Sequence, residues 1–425
     1  METYAKTLLY AIPGFVVLML IEVVYGYVKK YQTFKGMDTV SSLSSGFTNI
    51  LKSTLGLTVV IISYEWIVGR VALIEVESSW LVYLLGFIFI DLAGYLWHRV
   101  NHKVNYFWNV HLIHHSSEEF NLACALRQTI SNVFGYYALF LLPAALLGIP
   151  PKVIAIISPL HLFLQFWYHT RHIGKMGFLE YIIVTPSQHR VHHAINPVYL
   201  DKNFGQIFSI WDRMFGSFQE ELDDEPCVYG ITRPVSTWNP IKINFQHFWL
   251  LIKDAWRAKS YWDKLRIWFM PTGWRPEDVN EKYPVHYIQN PHDFEKYGIK
   301  LSNGLIAWTW FQFVVCFVLL LHMFAHFGAI GFPNLLYYGA FLFVAVYGYT
   351  SMMDKTWDGF LAQMLYGIGG VAFIVINGDW FGINDLFPQA DFVLLSYFAL
   401  TGIGALYFSL TELKQDKQPT KKLAV

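Results

Sequence analysis

Apolar runs long enough to cross a bilayer recur along this chain and constrain its fold more than any other feature. Residues 9–28, 50–73 and 80–97 each come near or exceed the ~20 needed to cross about 30 Å of hydrocarbon as helix. Residues 133–148 and 153–167 flank Gly148-Ile-Pro150-Pro151, a turn signal that predicts a helical hairpin which either crosses or re-enters. Four further runs, 304–327, 335–349, 360–376 and 392–410, bring the expected number of spans to about nine. The first is not read as a cleaved signal peptide, since it lacks a basic start and a small-residue cleavage site and carries Glu22. Composition agrees. Hydrophobic residues make up 54% and charged residues 15%, against roughly 25% charged in soluble domains.

The expected fold is therefore all-α: a multi-pass membrane helical bundle with a cytoplasmic, histidine-rich helical layer. Lys29, Lys30 and Lys35 follow the first run, Arg99 and Lys103 follow the third, and Lys355 and residues 414–422 add basic charge near later ones. Glu75 and Glu77, then Asp379, Asp385 and Asp391, occupy the alternate loops. For nine spans the positive-inside rule puts the N-terminus outside, the C-terminus inside and every histidine cluster on the cytoplasmic side. The implied location is the endoplasmic reticulum of a eukaryote or the inner membrane of a bacterium. The expected divisions are N-terminal spans over 1–78, a histidine-box domain over 79–220, a cytosolic or interfacial segment over 221–301, C-terminal spans over 302–412 and a cytoplasmic tail over 413–425. Trp and Tyr in the interfacial segment, as in Pro271-Thr-Gly-Trp-Arg-Pro276, suit the headgroup zone.

Eleven of the sixteen histidines fall between His98 and His193. They include His98-Arg-Val-Asn-His102, His111-Leu-Ile-His114-His115 and Gln188-His189-Arg-Val-His192-His193. Spacings of three and four stack imidazoles on one helix face. These eight imidazoles exceed what one four-coordinate ion uses, so two metals share them. Nitrogen ligands with room left for oxygen point to iron and to activation of O₂. His169, in Tyr168-His169-Thr-Arg-His172, is expected as a further ligand, and His172 as a group close to the ligands. His161 is read as a polar contact between helices at least as readily as part of the site, and isolated histidines such as His247, His286 and His292 as ordinary residues. Glu118, Glu119, Asp201 and Asp212 are candidates to accept from the outer ring nitrogen of a ligand imidazole, and Asn203 is grouped with Asp201. No catalytic side chain is expected beyond the metal ligands. The His322 and His326 pair, in an apolar span, reads as a contact between helices.

Other classes are excluded or disfavoured. Lys plus Arg equals Asp plus Glu at 31 each, so no basic excess suggests nucleic acid. Cys124, Cys227 and Cys316 form no disulfide framework or C-x₂-C pair and read as packing residues. No glycine-rich phosphate loop or dinucleotide fingerprint is present, so electrons must come from an external donor. A transporter or metal sensor would place its ionisable groups in mid-membrane, whereas these clusters lie at span ends.

The boxes H-x₃-H, H-x₂-H-H and [HQ]-x₃-H-H resemble those of the fatty acid hydroxylase and sterol desaturase superfamily. His114-His-Ser-Ser-Glu118, Val228-Tyr-Gly230 and Asn239-Pro-Ile-Lys242 extend the similarity, and Ala125-Leu-Arg-Gln128 and Asp201-Lys-Asn203 narrow it to its tetrahydrobiopterin-dependent monooxygenases of ether lipids. That resemblance implies a membrane enzyme holding two iron ions, with tetrahydrobiopterin as donor, a membrane lipid and O₂ as substrates, and hydroxylation beside the ether oxygen of an alkylglycerol. It also suggests Arg127, set at the cytoplasmic rim, as a contact for the pterin. Lys103 and Gln188 depart from the pattern, standing where an acidic residue and a histidine are usual. The rival expectation is a sterol, carotenoid, sphingolipid or fatty-acid hydroxylase or desaturase fed by ferredoxin or cytochrome.

Overall fold

The computed structural model describes residues 2–413; of the expected tail only residue 413 falls among them. Seventeen α-helices follow in order. They are α1 (Glu2–Val28), α2 (Gly36–Thr54), α3 (Tyr64–Val71), α4 (Trp80–Lys103), α5 (Asn105–His115), α6 (Leu142–Leu146), α7 (Pro151–Phe163), α8 (Pro186–His192) and α9 (Ile210–Met214). Then come α10 (Pro240–Arg257), α11 (Tyr261–Arg266), α12 (Glu277–Lys282), α13 (Asn303–Ala325), α14 (Phe327–Ile330), α15 (Asn334–Met353), α16 (Trp357–Asn377) and α17 (Ala390–Glu412). A two-residue parallel pairing of Val59–Val60 with Phe134–Gly135 is the only sheet among the described residues.

Among the described residues six helices, not nine, are long and apolar enough to cross a membrane: α1, α4, α13, α15, α16 and α17. The expected span over 50–73 is broken. α2 ends at Thr54, Gly56 takes φ +67, and the chain restarts as the short α3. α2 is also a buried polar helix rather than a lipid-facing one: Ser41, Ser42, Ser44, Ser45 and Thr48 are almost fully enclosed. The hairpin forms, but its arms, 137–146 and Pro151–Phe163, are each shorter than a helix needs to cross about 30 Å of hydrocarbon. Gly148 turns it at φ +66 with its Cα against Ile74 O, where a Cβ would stand 2.0 Å from that oxygen.

The six long helices share one polar end. Asp354, just after α15, accepts from Trp238 N and Tyr297 Oη; Lys355 pairs with Glu412 at the close of α17; and Glu118, after α5, accepts from Tyr297 N. At the other end the first turn of α1 meets α14, with Glu2 beside Gly328. Lys29, Lys30, Lys35, Lys103 and Lys355 thus sit at the histidine end, and Asp379, Asp385 and Asp391 at the opposite one. The charge alternation read from the sequence is a real division of the bundle.

The largest core joins α13, α15, α16 and α17 to α1 and α2, through Leu319, Phe324, Tyr338, Tyr349 and Phe398. A second core packs α4 on the hairpin and α3. Within it, buried Asp91 accepts from His161 Nε2 (2.8 Å), Ile207 N (2.9 Å), Phe208 N (3.1 Å) and Trp211 Nε1 (2.8 Å). His161 is therefore the contact between helices that its spacing allowed, and Asp91 ties the loop after the third box to α4.

Candidate metal centre

The imidazoles are delivered by two local devices. α4 stops at Val104, whose extended backbone (φ −127, ψ 127) pairs with Pro271, and α5 restarts at once beside it. α8 is nucleated by Thr185, whose Oγ1 accepts from Gln188 N, with Pro186 in the first turn. Nine histidines result, in two groups: His98, His102, His111, His115 and His192, and His114, His169, His189 and His193. Within each group the ligand atoms lie within 4.8 Å of one another, and all but His111 are buried. These are the nine residues that the spacing singled out. Assignment of His169 by sequence alone was the least direct, and the structure places it fully inside the second group.

The double histidines have a geometric purpose. Successive helical residues point about 100° apart, so His114 and His115 turn to different groups, as do His192 and His193. His115 and His193 stack at 4.3 Å between centroids and 22° between planes, forming the wall that separates the groups. Phe120 lies against His169 and His193 on the far side.

Outer partners fix the tautomers. Nδ1 of His98 meets Phe204 O (2.8 Å), of His192 Lys202 O (2.9 Å), of His114 Arg127 O (3.2 Å) and of His169 Gln165 O (3.1 Å). A carbonyl only accepts, so each of these Nδ1 atoms carries the proton and each Nε2 presents a bare lone pair. Those Nε2 atoms converge: His98 on His111 at 2.8 Å, His102 on His115 at 3.1 Å, and His193 on both His114 and His189 at 3.1 Å. Imidazole–metal bonds of about 2.1 Å set neighbouring ligands about 3 Å apart, so the spacing suits an ion. His192 Nε2 is buried with no partner at all. Burial holds His114 and His169 down to about 3, and burial with neighbouring imidazoles holds His111, His115, His189, His192 and His193 well below the usual histidine value. Neutral imidazole is the form that ligates.

The surrounding residues divide. Asp201 Oδ1 stands 3.4 Å from His102 Nδ1 and its Oδ2 2.7 Å from Lys103 Nζ, so this carboxylate lies against the outer nitrogen of a histidine of the first group. Lys103, where an acidic residue was usual, closes that pair. Asp212 acts one step further out, accepting from Phe204 N and Gly205 N (both 2.7 Å) and so holding the carbonyl that His98 uses. Asn203 bonds Gln188 O (3.0 Å) and Gln219 O (2.7 Å), clamping α8 rather than an imidazole.

The readings of Glu118, Glu119, His172 and Arg127 are corrected by contact. Glu118 meets Tyr297 N and Glu119 meets Lys296, not a histidine, because the chain before α13 crosses above them. His172 packs edge-on against Tyr25 and Tyr31 and belongs to neither group. Gln188 turns away, giving Nε2 to Glu180 O (2.6 Å). Arg127 lies in the interior, 1% exposed, with Nη2 on Asp38 (2.6 Å), Nη1 on Ser116 (2.7 Å) and Nε on Ser42 (2.9 Å), so no part of its fork faces a rim. The main-chain carbonyls that set the tautomers carry no signal in the sequence.

A cavity of about 320 Å³ reaches His102, His115, His192 and His193 from the side of residues 230–287. Trp108, Leu251, Trp274, Arg233 and Tyr287 also line it. Sequence reasoning did not single out Arg233. His247, read as ordinary, borders the cavity while bonded to Asn105 O (3.1 Å).

Comparison with known proteins gives the site its context. A fatty acid hydroxylase family model matches residues 83–217, the stretch that carries all nine histidines. An alkylglycerol monooxygenase of Xenopus tropicalis is 35% identical over 313 residues, covering 73% of this chain and 69% of that protein. The alkylglycerol monooxygenase of Homo sapiens is 37% identical, covering 63% of this chain and 59% of its own length. An ornithine lipid hydroxylase of Rhizobium tropici is 28% identical over 36% of the chain. No solved structure matches.

Proposed function

This chain belongs to the alkylglycerol monooxygenase family and carries a fatty acid hydroxylase domain, and from that premise we propose that it is a membrane di-iron monooxygenase that cleaves the ether bond of an alkylglycerol. The chain spans 59 to 69% of the length of the two alkylglycerol monooxygenases compared. The observation that carries the reading is the pair of imidazole groups, neutral, buried and convergent, at one end of six apolar helices. Two iron ions bound there would supply activation of O₂. The carbonyls of Phe204, Lys202, Arg127 and Gln165 keep the Nε2 lone pairs turned inward, and burial keeps water from the reacting centre.

In the overall chemistry one oxygen atom enters the C–H bond beside the ether oxygen. The other leaves as water with two electrons and two protons from the donor, for which tetrahydrobiopterin is the family's implied choice. The hydroxyl proton of the resulting hemiacetal moves to the ether oxygen as the C–O bond breaks, giving a fatty aldehyde and glycerol. The clustering of Lys29, Lys30, Lys35 and Lys103 at the histidine end supports a cytoplasmic orientation of that end under the positive-inside rule. The donor then arrives from the cytosol and the alkyl chain from the bilayer.

The test is purified full-length protein in lipid nanodiscs, assayed for metal and for alkylglycerol turnover. About two irons per chain without a haem Soret band, with ether lipid lost and fatty aldehyde gained, is expected. Zinc alone, or an untouched ether pool with hydroxylated sterol or fatty acid formed from ferredoxin or cytochrome, would replace this reading by its rival.

A further inference from the structure

The outer side of α10 and the turn into α11 form a groove of about 710 Å³, within the roughly 300 to 1,000 Å³ of small-molecule sites. Trp249, Trp256 and Trp268 supply its walls, and Lys253, Arg257 and Lys264 stand among them. No acidic side chain lines it among the described residues. The stretch from Pro240 to Met270 carries six Lys and Arg against two Asp. Both acids are committed elsewhere, Asp254 to Arg275 (2.6 and 3.1 Å) and Asp263 to Arg266 (2.7 Å). In the groove, Lys264 donates to Trp256 O (3.1 Å) and Arg257 lies over the Tyr283 ring at 4.0 Å. Neither contact cancels a charge. Lys253 makes no ion pair among the described residues. Like charges around one groove sum to a positive potential, and indole walls of low dielectric focus it on whatever enters.

The groove's place narrows the choice of anion. Trp268 O and Met270 O accept from Tyr106 N and Asn105 N (both 3.0 Å), just past the end of α4, and Asn239 at the head of α10 bonds Ser351 near the end of α15. The groove is thereby tied to the ends of two helices long and apolar enough to cross a membrane. α11 and the residues after it extend the apolar surface with Tyr261, Trp262, Leu265 and Phe269, all exposed. A free inorganic anion makes no use of that surface, and a protein partner has no need of the spans beside it. A phospholipid brings a phosphate and acyl chains in one molecule. Tryptophan and basic side chains on one surface are the combination favoured at headgroup depth.

We propose that this groove seats the headgroup of an anionic phospholipid, with its phosphate among Lys253, Arg257 and Lys264 and the first methylenes of its chains against Trp249, Trp256 and Trp268. The proposal is independent of what the histidine groups catalyse. α10 also lines the cavity at those histidines, through His247, Leu250 and Leu251, so a lipid held on its outer side steadies one wall of that cavity.

The experiment titrates full-length protein in a neutral detergent with phosphatidylglycerol and, separately, with phosphatidylcholine, following tryptophan fluorescence and counting bound lipids by native mass spectrometry. A basic side chain near an anionic membrane surface contributes roughly fivefold in affinity. With three of them, wild type should prefer phosphatidylglycerol by about tenfold to a hundredfold. A triple variant, Lys253→Gln, Arg257→Gln and Lys264→Gln, should lose that preference. None of the three side chains is buried, so its melting temperature without lipid should match wild type, and phosphatidylglycerol should raise the melting temperature of wild type alone. A Lys29→Gln, Lys30→Gln double variant, changed at the same end of the bundle but outside the groove, should keep the preference. Equal affinity of wild type for the two lipids overturns the proposal, as does a triple variant that still prefers phosphatidylglycerol. An equal loss in the Lys29, Lys30 variant overturns it too, because the preference would then follow net charge at that end and not the groove. Displacement of the lipid by inorganic phosphate or by a glutamate-rich peptide at the lipid's own concentration also overturns it, assigning the groove to a free anion or to an acidic protein partner.

Discussion

His114 and His169 face each other through their Nε2 atoms at 3.4 Å, while each gives its Nδ1 proton to a main-chain carbonyl. Two bare lone pairs held this close repel unless a cation lies between them, so the pair reports a metal position more directly than proximity alone. His169 belongs only to the second group. His169→Ala should therefore lower iron from about two per chain toward one, with turnover reduced at least a hundredfold. Elemental analysis and a turnover assay check this together. Full iron and full turnover would remove His169 from the ligand set.

Asp201 contacts His102 from outside the first group and is itself held by Lys103. Loss of a carboxylate behind a ligand imidazole typically costs roughly ten- to a hundredfold in metal affinity or activity. Asp201→Asn should show that loss as weaker retention of one iron on chelator titration, with the second iron held as in wild type. Simultaneous loss of both irons would mean that Asp201 supports the fold rather than the ligand.

Arg127→Ala should behave differently from any change in the cavity. Its removal strands Asp38, 3% exposed, without its partner and empties three hydrogen bonds. Breaking a buried ion pair in this way costs about 3–5 kcal/mol. Thermal melting in detergent should drop sharply and iron loading with it, since the Arg127 carbonyl also holds His114. A stable, iron-loaded variant with only a raised pterin KM would return Arg127 to the rim role that its sequence context suggested.

The histidine spacing carried nearly all of the centre, because helical periodicity turns i, i+3 and i+4 positions onto one face and nothing else in an apolar helix competes for that pattern. The number of spans was legible only where apolar runs are unbroken. Residues 50–73 are apolar enough by count, yet the end of α2 at Thr54 and the turn at Gly56 divide them. In sequence Glu118 and Glu119 read as acceptors for imidazoles and Arg127 as a rim contact, but distant segments, at Tyr297, Lys296 and Asp38, fold over them and take up their charges. Such pairings are long-range and leave no local trace.

Glu118 gives the fold a pH dependence. Burial raises its pKa from 4.5 to about 7. Below pH 4.5 folded and unfolded chains both hold the proton. Between 4.5 and 7 the unfolded chain releases it and the folded chain retains it, so stability falls as pH rises and levels off above 7. The total amounts to about 3 kcal/mol at most, at ~1.4 kcal/mol per unit. Glu118→Gln keeps an acceptor for Tyr297 N and cannot ionise. Its melting temperature should match wild type near pH 4.5 and exceed it at pH 8. Parallel curves across that range would show that the carboxyl is ionised in the folded protein.

α10 turns an aromatic face outward. Phe245, Trp249 and Trp256 recur at intervals of four and seven, on the side opposite Ile243, His247, Leu251 and Asp254, with Trp249 58% and Trp256 84% exposed. Lys253, Arg257 and Lys264 stand beside them in a shallow groove. The helix starts at Asn239, which bonds Ser351 at the polar end of α15, and the segment after α11 bonds Asn105 and Tyr106 just beyond α4. Its outward face is therefore expected beside the polar ends of two apolar helices, the zone in which tryptophan and basic side chains are favoured at a membrane. In nanodiscs made with lipids brominated near the headgroup, wild-type tryptophan fluorescence should be quenched more than that of a Trp249→Ala, Trp256→Ala double variant. The double variant should keep its iron and show a raised KM for alkylglycerol with no change in affinity for the electron donor. Equal quenching of the two proteins would place this face in water, and the segment over 221–301 would then be a cytosolic layer that never touches lipid.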